Sequence, residues 1–161
     1  MRKQTGFSLI ELLIVVAIIL IIAAIAIPNL LRARISANEA SAVGSVRDLN
    51  TAQISYNSSY PTIGYATTLT ALAGTSCTPP GSTGACIIDQ TLASGTKSGY
   101  SFAMTNGGST TTPQGSYEVD AKPLTVNQTG VRYFCSVADA VVRSGSAAFS
   151  SNCGTTGAPL Q

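Results

Sequence analysis

From Leu12 to Ile27 every residue is leucine, isoleucine, valine or alanine. With the residues before it, the segment Phe7 to Ile27 is 21 residues long. As a helix rising 1.5 Å per residue, it is long enough to cross a hydrocarbon layer of about 30 Å. Ser8 and Glu11 are its only polar members. Arg2 and Lys3 precede it, and a basic start holds the N-terminus on the cytoplasmic side.

Three fates are open to such a run. It can be a secretory signal, with Ala23-Ala24 as small residues near a cleavage point, whose removal would release a soluble secreted binding or enzymatic domain. It can be a plain membrane anchor. Glu11 speaks against both, because a lone carboxylate among apolar residues costs about 3 kcal/mol on insertion scales and is kept for a reason. The third fate gives Glu11 a purpose.

The string Gly6-Phe7-Ser8-Leu9-Ile10-Glu11 resembles the processing site of type IV prepilins. The resemblance implies that a prepilin peptidase cuts between Gly6 and Phe7 on the cytoplasmic side and methylates the new N-terminus. Residues 1–6 would be a leader, Phe7 the first mature residue and Glu11 the fifth. The apolar helix would be retained. The new α-amine has a reference pKa near 8, so it carries a proton at neutral pH. In apolar surroundings that cation and the Glu11 carboxylate compensate each other. A pair within one subunit is possible at this four-residue spacing, and the helix N-terminus alone could also satisfy the acid. The resemblance implies instead that Glu11 of an incoming subunit meets the Phe7 amine of a neighbour.

Pro28 follows the apolar run and is expected to kink or locally unwind the helix rather than end it, because helical periodicity resumes beyond it. Prolines at this place are common in the family that the motif resembles. Ile35, Ala42, Val46, Leu49 and Tyr56 then mark one helical face, with Glu39, Arg47, Asp48 and Asn50 placed mostly elsewhere. Tyr60-Pro61 is the expected stop. The organisation read from this is a leader at 1–6, a transmembrane or filament-core helix at 7–29, an amphipathic helix at 30–58 and a globular head at 59–161. A short helical piece is expected at Thr68–Ala73. Strands are expected at Tyr100–Met104, Tyr117–Ala121, Arg132–Val137 and Ala140–Arg143, with a turn at Asn106-Gly107-Gly108. The fold class is α+β: a long N-terminal helix packed on a small antiparallel sheet, like a pilin head.

Only 10% of residues are charged, against about a quarter in ordinary domains. Removing residues 1–6 removes Arg2 and Lys3 and leaves seven basic against seven acidic side chains. Such a surface offers nucleic acid no footprint, and it fits packing against copies of itself. There is no His, which removes the usual nucleophile–base arrangements. Glu118 and Asp120 share a strand face and read as solvent-exposed charges, not an acid–base pair. No catalytic residue, cofactor or metal site is expected. Asn57 and Asn127 sit in short glycosylation-like sequons. Tyr56, Tyr60, Tyr65 and Tyr100 read as packing.

Cys77, Cys86, Cys135 and Cys153 read as two disulfides with three possible connectivities, and their spacing does not suit zinc. Cys77 to Cys86 would enclose a small loop around Pro79-Pro80-Gly81. Pilins often tie down their C-terminal segment with a disulfide, which a Cys135–Cys153 pair would do here.

The expected function is a structural subunit of a type IV pilus, a helical homo-oligomer serving adhesion or surface motility. The precursor would be single-pass in the inner membrane with a cytoplasmic N-terminus, and the assembled subunit extracellular. Its partners would be prepilin peptidase, the inner-membrane assembly machinery and further copies of itself. A type II secretion pseudopilin is the close alternative, and a secreted binding domain the distant one.

Overall fold

The computed structural model describes residues 6–74, 80–108, 111–149 and 153–160. The chain divides into two compact units, Met1–Arg34 and Ile35–Gln161. Helix α1 (Leu9–Ser59) supplies residues to both.

In the first unit α1 exposes nearly every side chain, and Pro28 lies inside the helix rather than at its end. Proline lacks an N–H and removes one backbone bond. The helix continues through it. Leu12, Ile18, Ile21 and Ile25 are each more than half exposed. Leaving one such side chain in water forgoes about 1.5–3 kcal/mol relative to burying it, so this unit alone is unsuited to an aqueous surface.

In the second unit, α1 from Ile35 onward covers an antiparallel sheet. The strands are β1 (Thr96–Lys97), β2 (Tyr100–Thr105), β3 (Glu118–Pro123), β4 (Tyr133–Val137), β5 (Arg143–Gly145) and β6 (Ala158–Pro159), paired in chain order as a meander. Ala42, Val46, Leu49, Ala52 and Tyr56 of α1 pack with Tyr100 and Phe102 of β2, Val119 and Ala121 of β3 and Phe134 of β4. The α+β architecture expected from the sequence is the one observed.

Two amides on α1 fasten this helix to the rest of the unit. The Gln53 amide donates to the Ala66 carbonyl (2.8 Å) and accepts from the Ala66 N–H (2.9 Å). A buried backbone pair is thus satisfied where no strand is available. Asn50 donates to the Ser136 hydroxyl (2.9 Å) and accepts from the Tyr117 hydroxyl (3.1 Å).

Several expectations need correction. Asn50 and Glu39, which the periodicity places off the apolar stripe, are nonetheless buried. The Glu39 carboxylate accepts from the Val131 N–H (2.9 Å), the Arg132 N–H (3.0 Å) and the Arg132 guanidinium (2.8 Å). Burial raises its pKa, but these bonds outweigh burial and leave it lowered. The fourth strand starts at Arg143, because Ala140 adopts φ 58° and the Asp139 carboxylate accepts from the Val141 N–H in a turn. The turn expected at Asn106-Gly107-Gly108 is formed, and β3 follows only at Glu118.

Short elements also appear where no expectation was made. They are helix α3 (Gln90–Ala93), capped by Asp89 accepting from the Leu92 N–H, helix α4 (Cys153–Thr156), and strands β1 and β6. Helix α2 (Leu69–Ala73) falls in the expected place, with Thr68 as its N-cap.

Candidate functional site

The first candidate site is the start of α1. Gly6, Phe7 and Ser8 are non-helical, and the helix begins at Leu9. Ser8 therefore stands at the N-cap and Glu11 three residues in, the spacing of a capping box. One half of that motif is formed: the Ser8 N–H donates to Glu11 Oε2 at 3.1 Å. It is the only hydrogen bond that Glu11 makes among the described residues, and it is exposed. The Ser-x-x-Glu spacing of this cap is present in the sequence itself.

Gly6 is not required by the fold. A Cβ added there would meet nothing within 4 Å. Phe7 is 80% exposed, and α1 holds an apolar window of mean hydropathy 3.3 that is long enough to cross a membrane.

The second candidate region is the sheet face turned away from α1. There Cys135 of β4 is bonded to Cys153 of α4, with Cα atoms 5.9 Å apart. The bridge draws α4 over the sheet, and the Cys153 N–H lies 3.4 Å from the Glu118 carboxylate. Cys77 lies outside the described residues.

Glu118 and Asp120 are not the solvent-exposed strand charges expected: Glu118 is 3% exposed, and Asp120 Oδ1 is buried without a hydrogen-bond partner. Alternation correctly put both on one face. It could not reveal that the C-terminal segment folds back over that face. Burial, with the neighbouring Glu118 charge adding to it, pushes the Asp120 carboxyl up to about 7. Folded Asp120 thus keeps a proton that the unfolded chain releases nearer 4, so its contribution to stability is full in acid and falls as pH rises through about 7. Asp120→Asn is expected to leave melting unchanged near pH ~4 and to raise the melting temperature above pH ~7, as read by circular dichroism. Among the described residues, no group of three or more His, Cys, Asp or Glu side chains could hold a metal ion.

Residues 1–27 match the family described as the prokaryotic N-terminal methylation motif. In this segment the chain is similar to type IV pilins and to a type II secretion pseudopilin. The type IV wide pilus major component PilA4 of Thermus thermophilus is 56% identical over 48 residues, 30% of this chain and 37% of that protein. The type II secretion system core protein G of Vibrio cholerae is 45% identical over 65 residues, 38% of this chain and 44% of that protein. The type IV major pilin protein PilA of Myxococcus xanthus is 48% identical over 54 residues, 34% of this chain and 24% of that protein. The chain thus spans less than half the length of each of these relatives. No solved structure matches it. The pilin-type segment holds Gly6, Phe7, Glu11 and the apolar run, the residues singled out at the first candidate site.

Proposed function

We propose that this chain is a structural subunit of a type IV pilus. It would be cut after Gly6, methylated on Phe7 and assembled through the apolar part of α1. The domain organisation follows: a leader at 1–6, a membrane or filament-core helix at 7–29, an amphipathic helix at 30–58 and a head at 59–161. The observation that carries the reading is a single carboxylate, Glu11, in the first turn of a helix whose apolar side chains are largely exposed within their own unit. In a membrane those side chains are solvated by lipid. In a filament they would be solvated by the same helices of neighbouring copies, and Glu11 would be neutralised by a Phe7 amine. Pro28, by weakening the backbone ladder, would let α1 adjust between the two environments. The subunit performs no catalysis, and the heads would face outward to serve adhesion or motility.

The test is the N-terminus of the assembled protein. Fibres sheared from cells should yield a chain that begins at Phe7 and carries one methyl group, read by mass spectrometry. A start beyond Ala26 would mean a secreted soluble domain instead. Gly6→Val should fold, since the added side chain meets nothing within 4 Å, yet it should accumulate uncut in the membrane. Normal shortening of that variant would remove the proposed cleavage site.

A second reading, a pseudopilin of a type II secretion system, is favoured by one finding. The secretion-system relative matches over the longest stretch of the three, 65 residues. Deleting the chain separates the two readings. Loss of surface fibres with secretion intact supports the pilus, and the reverse supports the pseudopilus.

A further inference from the structure

Asp120 is a half-buried carboxyl of the head that neither the fold nor the proposed assembly uses. Buried carboxylates are ordinarily hydrogen-bonded or paired. Asp120 makes no hydrogen bond among the described residues, and its Oδ1 is sealed from solvent. Beside it lies a cavity of about 180 Å³, lined by Ser101, Ala103, Asp120, Lys122, Tyr133 and Phe149, among others. The Phe149 ring is seated over Gly145, where a Cβ would come within 2.8 Å of it. Aromatic side chains, aliphatic walls and one carboxyl group without a partner are the groups that recognise an organic cation: an aromatic face attracts the charge, the apolar walls take its stem, and the cation takes the place of the carboxyl proton.

The charged and titratable groups around the cavity fit that reading. From β3, Glu118 adds negative charge, and Lys122 is exposed and in no ion pair with Asp120 among the described residues. From β4 there is Tyr133, and β2 presents only Ser101 and Ala103. Ala148 and Phe149 bring no charge.

We propose that this cavity is a seat for an organic cation of the alkylammonium or guanidinium class. The source is either a lysine or arginine side chain of a neighbouring copy, which rests on the filament reading, or a free amine. Lysine and arginine stems are slender enough for a space of this size. A bound water would satisfy one hydrogen bond but would not favour the ionised carboxylate as a cation does.

The test uses the full chain in detergent micelles, labelled with ¹³C-aspartate and titrated by NMR. The Asp120 resonance is identified by its loss in Asp120→Asn, and Asp48, Asp89 and Asp139 serve as internal controls. In n-butylammonium chloride the Asp120 midpoint should fall by about one pH unit, a tenfold change in proton affinity, relative to sodium chloride at equal ionic strength. Phe149→Ala should shrink that difference. Equal midpoints in the two salts would overturn the proposal. So would a low midpoint in sodium chloride that rises in Lys122→Gln, since the chain's own lysine would then fill the seat. In assembled fibres without added amine, a lowered midpoint identifies the neighbouring copy as the source, and a midpoint matching micelles in sodium chloride identifies a free amine. If no fibres form, the filament reading fails while the micelle titration still decides the cation seat.

Discussion

Glu11→Ala is expected to be cut and methylated normally and to lose nearly all fibre assembly. In the proposed filament the Phe7 ammonium of one subunit is desolvated against the Glu11 carboxylate of the next. Removing the acid leaves a charge among apolar groups at a cost of about 3 kcal/mol, and every 1.4 kcal/mol is tenfold in an equilibrium constant. Fibre yield from sheared cells should fall by about a hundredfold, while mass spectrometry of the membrane pool still shows a chain beginning at Phe7.

The capping geometry makes a sharper experiment available. Glu11 accepts from the Ser8 N–H, and a glutamine at that position can do the same through its amide oxygen. If Glu11 served only to cap α1, Glu11→Gln would assemble like the parent chain. If its charge matters, Glu11→Gln fails as Glu11→Ala does. Normal fibres from the glutamine variant would reduce Glu11 to a local cap and remove the basis of the assembly proposal.

That a single local spacing can be read two ways shows what was legible in the chain. The apolar run, the acid within it and the glycine before it are contiguous, so no knowledge of the fold was needed to find them. The helical face from Ala42 to Tyr56 was equally legible, because its apolar residues recur at the period of a helix. The head was less so. Glu39 looks like a surface residue until the segment leading into β4 brings it three donors, from Val131 and Arg132, more than ninety residues away. Asn50 and Gln53 are buried for the same reason, each supplying polar atoms to backbone or side chains that only the tertiary fold brings near. Strands of two residues, such as β1 and β6, carry no alternation to detect. The Glu118–Asp120 face was misread because the covering segment is fixed by a covalent bond, and pattern does not choose among disulfide connectivities.

That bond carries the second large expected effect. Cys135 and Cys153 are 18 residues apart, and closing a loop of this size removes about 3 kcal/mol of unfolded-chain entropy. For a unit the size of this head, that corresponds to a fall of roughly 10 °C in melting temperature. Cys135→Ala/Cys153→Ala should therefore melt roughly 10 °C below the parent by circular dichroism in micelles. The loss should also be uneven. With α4 released, the Cys153 N–H no longer sits over Glu118, and the outer face of β3 opens to water. Asp120 would then lose the burial that raises its pKa, so its NMR midpoint should fall toward the ordinary carboxylate value even though no cation has been added. The core face is held by Leu49, Val46, Phe134 and the Asn50 and Gln53 anchors, on the opposite side of the sheet from the bridge, and amide exchange in α1 and β2 should stay slow. Uniform loss of protection across the sheet would show instead that the bridge holds the whole head together. An unchanged melting temperature would show that the C-terminal segment stays on the sheet without it.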